Sequence, residues 1–212
     1  MWRYNNANSQ VAFAAMLLFI GSVVVDNVGA STKYTLLGTN KIEVSESSVT
    51  CKNGKSTSVT TGVKGELYTL SSTRTNFSGD KWKKRMAELD RESDDEQGHV
   101  VASVFGGPVE TWNLVPQHRS VNRKINAQSS LLNRWDEFEK WTREQLGKKN
   151  GAPVKFTIKI KYATKNGCRP IGFEIDASSK AGPGFEANFD NGPYGSFAVT
   201  SSGSRPTKKQ KT

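Results

Sequence analysis

Two histidines occur in this chain of 212 residues, His99 and His118, and the first opens a run of residue types suited to hydrolysing a phosphodiester. The run reads Gly98-His99-Val100-Val101-Ala102, then Phe105-Gly106-Gly107-Pro108, then Asn113-Leu114-Val115-Pro116-Gln117, then Asn122-Arg123. Such hydrolysis needs an activated water, relief of charge on the phosphate, and help for the departing 3′ oxygen. A histidine that titrates near neutrality can take the proton from water. One hard divalent cation meets the other two needs, as a Lewis acid and as a template. Magnesium keeps several of its waters and takes few protein oxygens, so one asparagine amide is an adequate ligand without a cluster of carboxylates. Taken singly, a histidine is more often a surface or core residue, and an asparagine more often caps a helix. Their joint placement in one run carries the reading.

That placement resembles the DNA/RNA non-specific endonucleases of the ββα-metal finger superfamily, over roughly residues 94–175. The resemblance implies an α+β fold: an antiparallel sheet with a ββα-metal finger and a C-terminal β-hairpin. It also implies an enzyme that uses Mg2+, with Mn2+ as a possible substitute, to cleave DNA or RNA without strong sequence preference and leave 5′-phosphate ends. On the family's motifs His99 falls on the general base and Asn122 on the magnesium ligand, with Arg123 beside it expected to meet substrate. Trp135 and Glu139 resemble a Trp-x-x-x-Glu pattern whose glutamate binds the metal through water. The stretch between Asn122 and Trp135 is longer than usual, which makes Glu137 a rival for that place. The family's Asp-Arg-Gly-His tetrad reads Glu96-Gln97-Gly98-His99 here, so its arginine is missing. Glu96, or Asp95 beside it, is expected to orient or polarise the imidazole. His118 has no motif context and is expected at the surface. Two other functions compete: a secreted polyanion-binding protein that keeps the fold without catalysis, and a nuclease toxin. The pairing of His99 with Asn122 speaks against the first, because binding alone requires neither; the second shares the same site.

The elements that must position these groups follow from pattern. Val59, Val63 and Leu67-Tyr68-Thr69-Leu70 suggest strands between Val49 and Leu70, with Gly62 as a break. Asp80 is expected to cap a short helix carrying Trp82, Met86 and Leu89 on one face. Val100 to Phe105 reads as an apolar strand ended by Gly106-Gly107-Pro108, and Trp112 to Val115 as its return, ended by Pro116. Asn113 and Gln117 are expected to fix hydrogen bonds of strand and loop. A long helix is expected over much of Val121 to Leu146, where Leu131, Trp135, Phe138, Thr142 and Leu146 keep a three-and-four spacing. Val154, Phe156, Ile158, Ile160 and Tyr162 alternate with Lys155, Thr157, Lys159 and Lys161, giving a strand with one buried and one basic face. Ile171, Phe173 and Ile175 return from the Asn166-Gly167 turn to complete a hairpin. The aligned Lys155, Lys159 and Lys161 are candidates for tracking phosphates.

The chain divides accordingly. Residues 1–30 read as a signal peptide, with an apolar run from Val11 to Val25 and small residues at Val28-Gly29-Ala30. That run is short for a bilayer span of about 20 residues, so no stable membrane association is expected after cleavage. Residues 31–48 are a polar lead-in or a first strand, 49–178 the endonuclease domain, and 179–212 a Gly/Pro/Ser-rich segment with a disordered basic tail. The chain is therefore expected to be secreted. In an oxidising compartment Cys51 and Cys168, the only cysteines, are expected to pair rather than stay as thiols. So long a closed loop contributes roughly 4–5 kcal/mol in the chain-entropy model. Asn76-Phe77-Ser78 is an N-glycosylation sequon, usable on that route. Thirty Lys and Arg against twenty Asp and Glu give a formal charge of +10, which favours polyanionic partners, nucleic acid foremost.

Overall fold

The alternation at Val154–Tyr162 buries Val154, Phe156, Ile158 and Ile160 and leaves Lys155 and Lys159 outside. It is the third strand from one edge of a sheet that dominates the fold. The computed structural model describes residues 31–123 and 134–193. In chain order its elements are β1 (Ser31–Leu36), β2 (Asn40–Thr50), β3 (Ser56–Leu67), α1 (Asp80–Glu88), β4 (Asp95–His99), β5 (Leu114–His118), α2 (Arg119–Asn122), α3 (Arg134–Leu146), β6 (Val154–Tyr162), β7 (Pro170–Ser179) and β8 (Gly182–Asp190). Six strands form one antiparallel sheet in the order β1-β2-β3-β6-β7-β8, while β4 and β5 form a separate two-stranded ribbon. Ribbon and following helices make the ββα finger, and the fold is α+β as expected. Among the described residues no helix is long and apolar enough to cross a membrane.

Several sequence-based boundaries are corrected. Of the two readings of residues 31–48, the strand holds and the lead-in does not, for β1 and most of β2 lie there. Only Ile42, Val44 and Val49 of β2 are apolar, with Ile42 and Val44 buried, and so broken an alternation hides the strand. Periodicity also continues beyond Ser178, because β8 buries Phe185, Ala187 and Phe189 in alternation. Gly62 does not break a strand but lies inside β3. Asp80 is the first residue of α1, whose N-cap is Gly79. The expected signal segment, residues 124–133 of the expected long helix, and the tail from residue 194 onward lie outside the described residues.

The finger departs most from its expected form. β4 ends at His99, and Val100 to Phe105 is not a strand. There the side chain of Asn113 takes over from the ladder: its Oδ1 accepts from Val101 N–H at 2.7 Å, and its Nδ2 donates to the carbonyls of Val101 (3.1 Å) and Pro108 (2.9 Å). A 3-10 turn at Ser103–Phe105 follows, closed by Gly106 at φ 87°, where glycine is favoured. At Gly107 a Cβ would run into the Val101 carbonyl, so the Gly-Gly pair is a steric necessity of this turn. Pro116 does not end the return strand but lies within β5, opposite Gln97. A two-stranded ribbon tolerates it, since each strand has an edge that needs no donor. The long helix is divided: α2 stops at Asn122, and Arg123 is extended at φ −115°, ψ 145°.

The inner face of the six-stranded sheet packs on α3 and the finger through an aromatic cluster. Trp135 meets Phe173 edge-on at 5.1 Å, and Phe138 lies between Phe156 and Phe185. Polar clamps then tie the ribbon to the sheet. Buried Asp95 receives a bidentate grip from Arg169, Nε to Oδ2 at 2.7 Å and Nη2 to Oδ1 at 2.6 Å. Buried Asn191 accepts from His118 N–H at 2.8 Å and donates to the carbonyls of Pro116 and Pro170, each at 2.9 Å. Next to Arg169, Cys168 is bonded to Cys51, so the two cysteines pair as expected.

The side chain of Gln117 does not fix hydrogen bonds as expected; neither amide atom has a partner among the described residues. It fills the space over Gly98 instead, where a Cβ would overlap it from Cγ to Oε1.

Two stability predictions follow from these contacts. Arg169→Ala leaves the Asp95 carboxylate, whose side chain is wholly buried, without its counter-charge. The expected cost is about 3–5 kcal/mol, read as a lowered urea midpoint; an unchanged midpoint would show that the pair is dispensable. Gly98→Ala forces the Gln117 side chain out of its place and is expected to cost about 1–3 kcal/mol. Adding Gln117→Ala should recover part of that loss, whereas strictly additive losses would argue against the clash.

Candidate active site

A cavity of about 490 Å³ opens where the finger, α3 and the segment between β3 and α1 meet. That segment has no regular secondary structure, so its path is set by tethers. Asn40, fully buried, accepts from the backbone N–H groups of Tyr68 and Thr69 and donates to the carbonyls of Thr69 and Phe105. Ser71 N–H donates to the Val104 carbonyl at 2.7 Å, and Thr75 N–H to Ser103 Oγ at 2.6 Å. The Thr75 hydroxyl donates to the Gly107 carbonyl at 3.0 Å. The finger turn therefore holds the opposite wall in place, and brings Arg74, Asn76 and Phe77 to the cavity with His99, Asn122 and Glu139.

His99 closes β4. Its ring lies against Phe77, with centroids 4.5 Å apart. Nε2 is buried and has no hydrogen-bond partner among the described residues. Burial of the ring, with the Arg74 guanidinium nearby, pushes its pKa down to about 4. The imidazole is neutral near pH 7 and can accept a proton.

Glu96 does not sit where it would orient that imidazole. Side chains three residues apart on a strand leave from opposite faces. Its Oε2 instead accepts from Asn122 Nδ2 at 2.9 Å, and its Oε1 pairs with Arg123 Nη2 at 2.5 Å. Asp95, the other candidate, is held by Arg169. Asn122 ends α2 rather than capping a helix at its start; the N-cap is His118, whose Nδ1 accepts from Ser120 N–H. His118 is accordingly buried and not at the surface, because its backbone and ring are engaged at the junction of β5 and α2.

On α3, Glu139 lines the cavity, whereas Glu137 pairs with Arg134 at 2.6 Å. Burial raises the pKa of Glu139, against the pull of Arg143 one turn on, whose Nη1 is 3.5 Å from Oε2. Lys155, Lys159 and Lys161 do not reach this region. They alternate with residues buried on the inner face, so they project from the outer face of the sheet, where they pair with Glu66 and Glu174. Arg74, Phe77 and Arg143 line the cavity and escaped the sequence reading, while Gln97, read at the place of the tetrad's missing arginine, lines it too. Arg143 had a visible signal in its four-residue spacing from Glu139. Arg74 and Phe77 had none, since their segment lacks periodicity.

The magnesium implied by the resemblance suits these residues. An amide oxygen and a half-buried carboxylate are hard donors, and they share a cavity with the neutral imidazole. Elsewhere among the described residues, Cys51, Asp90 and Cys168 are the one group of three such side chains with ligand atoms within 4.8 Å, and its two sulfurs are bonded to each other.

A family model described as DNA/RNA non-specific endonuclease matches residues 52–181, more than half of the chain. The Type VII secretion system protein EssD of Staphylococcus aureus (strain USA300) is 34% identical over 88 residues, which are 41% of this chain. The match spans only 13% of that relative's length, and the same holds for its counterpart in strain NCTC 8325 / PS 47. Among solved structures, NucA from Streptococcus agalactiae with no metal bound aligns with a TM-score of 0.45 at 13% identity, over 70% of this chain and 71% of the other. The magnesium-bound NucA structure aligns with a TM-score of 0.43 at 14% identity, over 77% and 84%. On the family match, the chain belongs to the DNA/RNA non-specific endonucleases.

Proposed function

We propose that this protein is a secreted, magnesium-dependent endonuclease that hydrolyses DNA or RNA, with His99 as general base and Asn122 and Glu139 as the groups that hold the cation. The observation that carries this reading is the meeting of these three side chains, from β4, α2 and α3, in one cavity. His99 Nε2 accepts the proton of the attacking water, and its burial keeps it neutral for that purpose. Asn122 offers its amide oxygen and Glu139 a carboxylate. Magnesium, when bound, supplies Lewis-acid relief of charge on the phosphate and on the departing 3′ oxygen, leaving 5′-phosphate ends. The guanidinium groups of Arg74 and Arg143 add positive charge on the cavity wall and replace part of what Gln97 lacks at the tetrad's arginine position. Export is supported by the Cys51–Cys168 bond and by the matched relative, which is named for a secretion system.

The test is plasmid and RNA cleavage by purified protein, with and without EDTA, for the natural chain and for His99→Ala. EDTA should abolish cleavage, and the substitution should cost about 10²–10⁴-fold in rate with the fold intact. Full activity in a folded His99→Ala protein would remove the assignment. The pH profile gives a second measure. A general base must be neutral to work, so at saturating magnesium the rate should fall on the acid side only as pH drops through about 4. A limb near the ordinary histidine value of about 6.5 would show that the ring is not shielded in the working enzyme.

Asn76 stands on the cavity wall next to the residue that packs on His99, so an oligosaccharide there would crowd the mouth of the site. In a host that occupies the sequon, as mass spectrometry would establish, Ser78→Ala should give a product more active on long nucleic acid than the glycosylated protein. Equal activity at full occupancy would mean that the glycan leaves the mouth open.

A further inference from the structure

The geometry assigns Glu96 a positioning role that the tetrad alone does not reveal: it fixes the amide of Asn122 so that Oδ1, not Nδ2, is offered to a divalent cation. The inference rests on the proposal that Asn122 holds that cation. An asparagine amide has two ends of similar size, and only the oxygen end can ligate a metal. A free amide turns readily between the two presentations, because the torsion that relates them is broad and roughly two-fold. Glu96 removes that ambiguity. Its carboxylate only accepts, so the amide end within 2.9 Å of Oε2 must be Nδ2, and Oδ1 points the other way. The bond is charge-assisted, and it polarises the amide so that the oxygen gains electron density.

Glu96 is itself held. Its second oxygen pairs with Arg123 at 2.5 Å, and its backbone pairs with Gln117 in the ribbon. One side chain thus grips two consecutive residues at the end of α2. It does so from the strand that carries His99 three positions later. The separation between base and metal ligand is thereby set through Glu96. The same contact explains why a carboxylate at position 122 would be a poor substitute: it would face Glu96 with no donor between them.

The test is metal affinity, read without nucleic acid. Mn2+ binding to the metal-stripped protein is followed by electron paramagnetic resonance for the natural chain, Glu96→Gln, Glu96→Leu and Glu96→Ala, and thermal melting checks each fold. Glutamine keeps one acceptor oxygen for Asn122 Nδ2 and loses the charge and the oxygen that pairs with Arg123. It should hold Kd within a few-fold, while leucine and alanine raise it by about 10–100-fold, the usual effect of losing the partner that orients a ligand. Cleavage by the leucine and alanine variants should return to near the natural kcat at saturating Mg2+, with the metal half-saturation raised in step with Kd. Unchanged Mn2+ affinity in folded Glu96→Leu or Glu96→Ala would overturn the role. Equal loss in all three variants would also overturn it, because the charge and its pairing with Arg123 would then be responsible. A rate that no concentration of Mg2+ restores would point instead to a contribution to the chemistry. If the natural chain binds no Mn2+, the metal-dependent reading fails first and this inference fails with it.

Discussion

The buried pair of Asp95 and Arg169 is the contact on which the rest of the site depends. A two-stranded ribbon is at best marginally stable alone in water. β4 and β5 carry His99, the proposed general base, and lead directly into the metal-ligand candidate, yet they share no ladder with the six-stranded sheet. What they have instead is a guanidinium clamped on a carboxylate at one end and the amide of Asn191 threaded between Pro116 and Pro170. These groups are polar and buried, and each finds its partner, so their directionality fixes where the ribbon sits. The disulfide at the neighbouring Cys168 anchors the segment from which Arg169 reaches across.

With the ribbon fixed, the cavity combines opposite electrostatic demands within a small space. The imidazole must stay neutral to act as a base, and Phe77 and Arg74 both favour that state. The nuclease reading requires a phosphate and a divalent cation to share this space, and Asn122 and Glu139 line the same cavity as the guanidinium groups of Arg74 and Arg143, the latter paired with Glu139. On the outer face of the sheet, away from the cavity, Lys64 pairs with Glu43, Lys155 with Glu66, and Lys159 and Lys161 share Glu174.

Much of this was legible in the sequence, and the remainder was hidden for identifiable reasons. β6 and β7 announce themselves, because strict alternation with a one-sided apolar set admits few other structures. His99 and Asn122 were readable as residue types in a run, and Glu139, with Glu137 as its rival, by the likeness of Trp135 and Glu139 to a Trp-x-x-x-Glu pattern. The extent of the finger strands was not readable, since apolar Val100 and Val101 look like strand while their backbone is bound by the side chain of Asn113. Nor was the partner of Glu96. Adjacency in sequence suggested His99, whereas the pleat sends the two side chains to opposite faces. Contacts such as that between Asp95 and Arg169, 74 residues apart, leave no local trace at all.

Gly98 gives the motif a second meaning. Its hydrogen is the only substituent that the overlying Gln117 side chain allows, just as Gly107 yields to the Val101 carbonyl. Much of what makes this run recognisable therefore encodes the shape of the scaffold and is silent about turnover. A chain could exchange His99 for another residue and still keep its glycines, Asn113 and Gln117, and it would continue to look like a member of the family after losing its chemistry. Recognising the frame and recognising the catalyst are separate inferences, and only a few side chains at the cavity wall distinguish a working nuclease from a silent copy.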